Sequence, residues 1–121
     1  MTYTTYVLKK RNRLLRGNGA KEIFSGRGKT FSTSLFSLKT AELRERSGPF
    51  FSVAVPSSLV KLATKRNTLK RRARAIIRNL MKDIKPGTAN IVFFKKRSEG
   101  LNFRVLKNEI LTLLKKGGLL A

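Results

Sequence analysis

Apolar positions in the run 65–82, KRNTLKRRARAIIRNLMK, recur at Leu69, Ala73, Ile76, Ile77 and Leu80. They fall at i, i+4, i+7, i+8 and i+11, the spacing of one buried helix face, and predict an amphipathic helix. A second helical spacing, Phe103, Leu106, Ile110, Leu113 and Leu114, predicts a helix over 103–116. Lys115, Lys116 and the Gly117-Gly118 pair mark its end, because cations and glycine both suit a helix C-terminus. Phe36, Ser37 and Leu38 alternate within 31–40, and 50–55 is apolar and β-branched, so both runs read as strands. The connecting AELRERSGP is charged and holds Gly48 and Pro49, which predicts an antiparallel hairpin with a long loop. After the Pro86-Gly87 turn signal, Ile91 to Phe94 reads as a short buried strand. Near the start, Asn18 as N-cap and Gly26 just past the end frame a short helix over about 18–25. A basic arm over 1–12 precedes a single domain over 13–121. The element order predicts an α+β fold, a small four-stranded sheet packed by three helices.

Charge changes the meaning of the first of these helices. Eight of the eighteen residues in 65–82 are Lys or Arg and none is acidic. Arg66, Asn67, Lys70, Arg71, Arg74 and Arg78 crowd the circumference left by the apolar stripe, with Lys65 and Lys61 at its start. A solvated helix face ordinarily mixes signs, because like charges at i, i+4 repel by some tenths of a kcal/mol per pair. The whole chain of 121 residues carries a formal charge of +22, with 40% hydrophobic content. That much apolar surface argues for a folded core rather than a disordered polybasic chain. Such a charge self-repels when compact, so a polyanionic partner is expected, with nucleic acid first in line. Arg66 projects nearer the apolar stripe, so a structural salt bridge or a role in holding the helix start is its alternative.

Composition also removes chemistry. There is no cysteine and no histidine, hence no disulfide framework, thiol nucleophile or imidazole base. The carboxylates, Glu22, Glu42, Glu45, Asp83, Glu99 and Glu109, are scattered. No catalytic residue and no metal ligand set is expected in this chain. No apolar run approaches the roughly 20 residues that span a bilayer, and the N-terminal MTYTTYVLKKRNRLLRG is too basic for a secretory signal. The expected location is the cytoplasm.

The run Arg66-Asn67-Thr68-Leu69-Lys70-Arg71, followed by Arg74, resembles the signature of the bacterial ribonuclease P protein subunit. The resemblance extends through LKKRNRL, IFSGRGKTF, PFFSVAV, PGTANIVFF and LNFRVLKNEILTLLKKGGLL, covering about residues 9 to 120 in the family's order. Thr68 stands where the family usually has a second Arg, and Ala20 where it has an aromatic. The resemblance implies a protein that binds a catalytic RNA and the 5′ leader of precursor tRNA. The endonucleolytic step then belongs to the RNA, with magnesium held by that RNA and no cofactor on the protein. It further implies a left-handed β-α-β crossover, against the usual hand; no membrane is expected from the hydropathy, and no obligate protein partner is inferred. The leader would lie in a cleft between the first helix and the sheet, with Phe24, Phe36, Phe31 and Arg27 as its candidate residues. For the aromatics the competing reading is plain core, since alternate strand residues point to opposite faces. A structural RNA binder of another kind, such as a small ribosomal protein, is the alternative function.

Overall fold

The computed structural model describes residues 28–43, 49–96 and 102–120. Its strands are β1 (Lys29–Ser32), β2 (Phe36–Glu42), β3 (Phe50–Ala54) and β4 (Thr88–Phe94); its helices are α1 (Ala63–Leu80) and α2 (Phe103–Lys116). The sheet runs in the order β1-β2-β4-β3. β1 pairs antiparallel with β2 and β2 antiparallel with β4, whereas β3 pairs parallel with β4. The mixed four-stranded α+β architecture agrees with expectation. The predicted short helix over 18–25 lies outside the described residues.

One expectation is overturned. The runs 31–40 and 50–55 do not form a hairpin with each other, because β4 is inserted between β2 and β3. The hairpin is instead local, β1 to β2, turning at 33–35 with Thr33 N–H donating to Phe36 O at 2.9 Å. Local patterning reports which residues are extended, whereas partner choice is decided by a strand far along the chain. Because β3 and β4 are parallel neighbours, a crossover must join them, and α1 supplies it.

Register assigns each side chain to a face. Phe36, Leu38, Val92, Phe94, Phe51 and Val53 point to one side and join Leu69, Ile76, Ile77, Leu106, Ile110 and Leu113 in the main core. α1 packs on β3 and α2 on β1 and β2, with the helices touching each other. On the other face lie Ala41, Ala89 and Ile91, flanked by half-buried Phe93. Asn90 is wholly buried on the core side; its Nδ2 donates to Phe50 O at 3.1 Å and Thr88 Oγ1 at 3.0 Å. That clamps the start of β3 to β4, at the cost of an Oδ1 without a hydrogen-bond partner.

The helix ends follow from their caps. Asn102 Oδ1 accepts from Val105 N–H at 3.0 Å and starts α2. At the other end Gly118 (φ 75°) takes the left-handed conformation. Leu119 N–H then reaches Leu114 O at 2.9 Å and Gly118 N–H reaches Lys115 O at 3.1 Å, the paired bonds of a Schellman stop. Gly117 is favoured for a different reason: a Cβ there would sit 2.8 Å from Leu38 Cδ2, so that buried side chain would have to shift. Leu106, Ile110, Leu113 and Leu114 are buried as the spacing predicted, but Phe103 is 46% exposed, because the first turn of α2 overhangs the core. α1 begins two residues earlier than the basic run and passes into a 3₁₀ turn, Met81–Asp83, before Pro86.

Phe36 is the anchor of this core, 0% exposed and edge-to-face with Phe94 at 4.7 Å between centroids. Phe36→Ala is expected to lower unfolding free energy by about 3–5 kcal/mol, read as a shift of the urea midpoint at unchanged m-value.

Candidate nucleic-acid interface

α1 is held by Leu69, Ala73, Ile76 and Ile77, all buried, and Ala75 is buried too, away from that stripe. The stripe read from the sequence is therefore real, with Leu80 half-buried at its end. Burying one Leu or Ile side chain is worth about 1.5–3 kcal/mol. The like-charge i, i+4 contacts of Lys70, Arg74 and Arg78 oppose it by only some tenths of a kcal/mol each. The stripe wins, and the cations are carried outward on a fixed rod.

Their surroundings differ. Lys61, Lys65, Asn67 and Arg71 are exposed, while Lys70, Arg74 and Arg78 are half-buried. Arg74 and Arg78 each also make an interaction within the chain. Asn67, Lys70, Arg71, Arg74 and Arg78 fall on one side of the helix and form the cationic face.

Arg66 behaves differently. Its Nη1 donates to Val60 O at 2.9 Å and to Lys61 O at 2.6 Å. α1 has no side-chain N-cap and no acid in its first turn, so Arg66 ties the incoming loop to the helix instead. The structural alternative raised from its position near the stripe is the one seen here. Thr68, at the gap in the basic motif, donates Oγ1 to Thr64 O at 3.0 Å and is satisfied within the helix.

The aromatic candidates divide by parity. Phe36 faces the helices and is completely buried, so it presents no ring face to a base; its place in the candidate cleft is corrected to core. Phe31 pairs with Leu38 and so lies on the helix side too. It is half-buried at the sheet edge, lining a cavity of about 620 Å³ with Thr40, Lys85 and Gly117. Phe24 and Arg27 lie outside the described residues. The aromatics that point away from both helices are Phe93 and Phe50, opposite Ser37 and Ala89 in the register. Adjacent Phe93 and Phe94 on one strand must face opposite ways, but which of them enters the core is set by the register of β4 with Phe36 and Leu38.

Among the described residues, no helix is long and apolar enough to cross a membrane. What the fold and the face of α1 define is a small basic α+β domain built to engage a polyanion. Comparison with known proteins then gives the lineage. The ribonuclease P family model matches residues 8–118, and the chain belongs to that family. The ribonuclease P protein component of Synechocystis sp. is 31% identical over 70 residues. That match covers 58% of this chain and 56% of the relative, so it spans little more than half of the curated protein's length. The ribonuclease P protein of Staphylococcus aureus superposes with a TM-score of 0.79 at 19% identity, over 93% of this chain and 100% of the other. That of Thermotoga maritima gives 0.74 at 25% identity, over 88% and 97%.

Arg66→Ala leaves two loop carbonyls without their donor and is expected to cost about 1–3 kcal/mol. Arg71→Ala, at an exposed position, should stay within about 0.5 kcal/mol of the parent. Thermal denaturation of the two variants side by side measures the difference.

Proposed function

We propose that this chain is the protein subunit of a ribonuclease P holoenzyme, binding the catalytic RNA and the 5′ leader of precursor tRNA during tRNA 5′ maturation. One observation carries the reading: α1 (Ala63–Leu80) has no acidic residue, buries one stripe and turns its cations out on a fixed face. Family membership narrows the polyanion to this RNA. Phosphate contacts supply affinity and fix register without reading sequence, which suits a rigid cationic face. Arg71, Lys70, Arg74, Arg78, Asn67, Lys65 and Lys61 are assigned to the catalytic RNA, while Arg66 shapes the helix start. The chemistry rests with the RNA and the magnesium ions it holds, and the protein works in the cytoplasm without a cofactor of its own. By lowering phosphate repulsion between substrate and ribozyme, the subunit reduces the magnesium concentration the reaction needs.

The leader is assigned to the sheet face opposite α1 and α2, where Phe93 and Phe50 offer partly exposed rings. Stacking on such rings tolerates any base, as a leader of variable sequence requires. Within the same reading, a third helix over about 18–25 with Phe24, and Arg27 after it, completes the cleft. The arm over 1–12 adds loose phosphate contacts, and the β3–α1–β4 crossover is left-handed.

Reconstitution with a bacterial ribonuclease P RNA at low magnesium decides the central claim. Added protein should restore cleavage of a leader-bearing precursor tRNA, and a protein that binds the RNA without stimulating cleavage overturns the assignment. Replacing Lys70, Arg71 and Arg74 together by Gln should flatten the slope of log K against log salt by about two units or more, at roughly 0.7–0.9 per lost phosphate.

Phe93→Ala separates leader binding from packing. It should weaken leader-bearing substrate by about 1–3 kcal/mol in competition binding and leave mature tRNA unaffected. Equal losses on both would return Phe93 to a purely structural place.

A further inference from the structure

α2 carries its own cationic row, which the sequence treated only as a helix ending. Arg104, Lys107 and Lys115 are all exposed. With Asn108 and Leu111 they fall at i, i+3, i+4, i+7 and i+11, on the side of the helix away from buried Leu106, Ile110 and Leu113. At 1.5 Å per residue the row is about 16 Å long. The single carboxylate of α2 is withdrawn from it: Glu109 Oε1 accepts from Ser34 Oγ at 2.8 Å and from Leu35 N–H at 3.2 Å, on the β1–β2 turn. Beside that turn two more ammonium groups are held in place. Lys116 Nζ donates to Ser32 O and Lys95 Nζ to Thr33 O, each at 2.9 Å. An ammonium has three donors, so each keeps others for an anion while its position is fixed.

We infer that the outer face of α2, with Arg104, Lys107 and Lys115 as its row and Lys95 and Lys116 at its flank, is a second surface for the catalytic RNA and takes its backbone phosphates, whose fixed separations in a folded RNA a rigid helical row can match. It rests on the reading of the chain as a ribonuclease P subunit and extends it to a face distinct from α1. The two rows sit over different halves of the sheet, α2 on β1 and β2, α1 on β3. An ordinary solvated helix would balance such a row with acids at i, i+4; here the only acid of the helix is drawn off to fix a turn. The row itself is made of cations and small polar or aliphatic residues, so it contributes affinity and register through phosphates.

The test replaces Arg104, Lys107 and Lys115 together by Gln and measures the salt dependence of binding to a ribonuclease P RNA and, separately, to a precursor tRNA. Gln is a good helix former and the positions are exposed, so the melting temperature should hold. A companion variant, Arg104→Lys with Lys107→Arg and Lys115→Arg, keeps the charge. The slope should fall by about two units with the ribonuclease P RNA for the Gln variant and stay at the parent value for the companion; a fall with precursor tRNA alone overturns the assignment to the catalytic RNA. Unchanged slopes with both RNAs overturn the second surface, as does an equal loss in the companion. Cleavage stimulation by the unaltered protein reports independently on the parent reading, so that reading can stand while this surface falls.

Discussion

Everything in this domain is arranged around the insertion of β4 between β2 and β3. β4 is paired along both edges, antiparallel to β2 and parallel to β3, and every residue from Thr88 to Val92 is buried, whichever face it points to. A parallel neighbour cannot be reached by a tight turn, so the chain between β3 and β4 must cross the sheet, and a helix is the economical way to satisfy its backbone. That places α1 on the sheet. Once it is there, its apolar stripe must face inward, and the residues between the stripe positions have nowhere to go but out. The cationic face is thus a consequence of strand order as much as of the basic residues themselves.

The same constraint explains how a chain of +22 folds before meeting its partner. Self-repulsion is spread over many exposed pairs, each weak in water and further reduced by salt. Core burial is concentrated: Leu69, Ile76, Ile77, Leu106, Ile110 and Leu113 are each 1% exposed or less. Each of those contributes about 1.5–3 kcal/mol, several times the cost of any one like-charge contact. Arg66 shows the two demands meeting in one side chain, a cation of the basic motif whose fork closes the start of its own helix. Glu109 is the counterpart, an acid on a basic helix whose carboxylate organises a turn and leaves its own helix face without a counter-charge.

Much of this was legible in the sequence, for identifiable reasons. α2 was read at its observed bounds because its apolar period runs from Phe103 and its end carries a strong local signal, two lysines and a Gly pair. Four of the five stripe positions of α1, Leu69, Ala73, Ile76 and Ile77, are buried as read because period 3.6 is a local property, whereas Leu80 is half-buried at the helix end and Ala75 is buried off the stripe. The pairing of β2 was misread because strand partners are chosen over long separations, and only β4, far along the chain, reveals that β2 and β3 are not neighbours. Phe36 was misplaced for a related reason. Its alternation was seen, but which parity faced the helices depends on the register with Val92 and Phe94, and nothing near Phe36 encodes that. Phe103 failed differently: it obeys the helical period, but lies in a first turn that extends beyond the sheet.

The parity of β4 also gives the proposed function a physical division of labour. Val92 and Phe94 hold the helical layer, while Ile91 and Phe93 belong to the opposite face. A contact made through helix-borne cations depends on phosphate spacing and salt, and is blind to base identity. One made through ring faces depends on unstacked bases and is insensitive to charge. A single-stranded leader offers bases that a folded RNA keeps paired, so a ring-bearing sheet face selects it without reading its sequence. A folded RNA offers phosphates at fixed separations, which a rigid helix matches better than a flexible arm because the ordering cost has already been met in folding. One sheet, covered on one side by cationic helices and bearing partly exposed rings on the other, can therefore engage two RNA segments of different character.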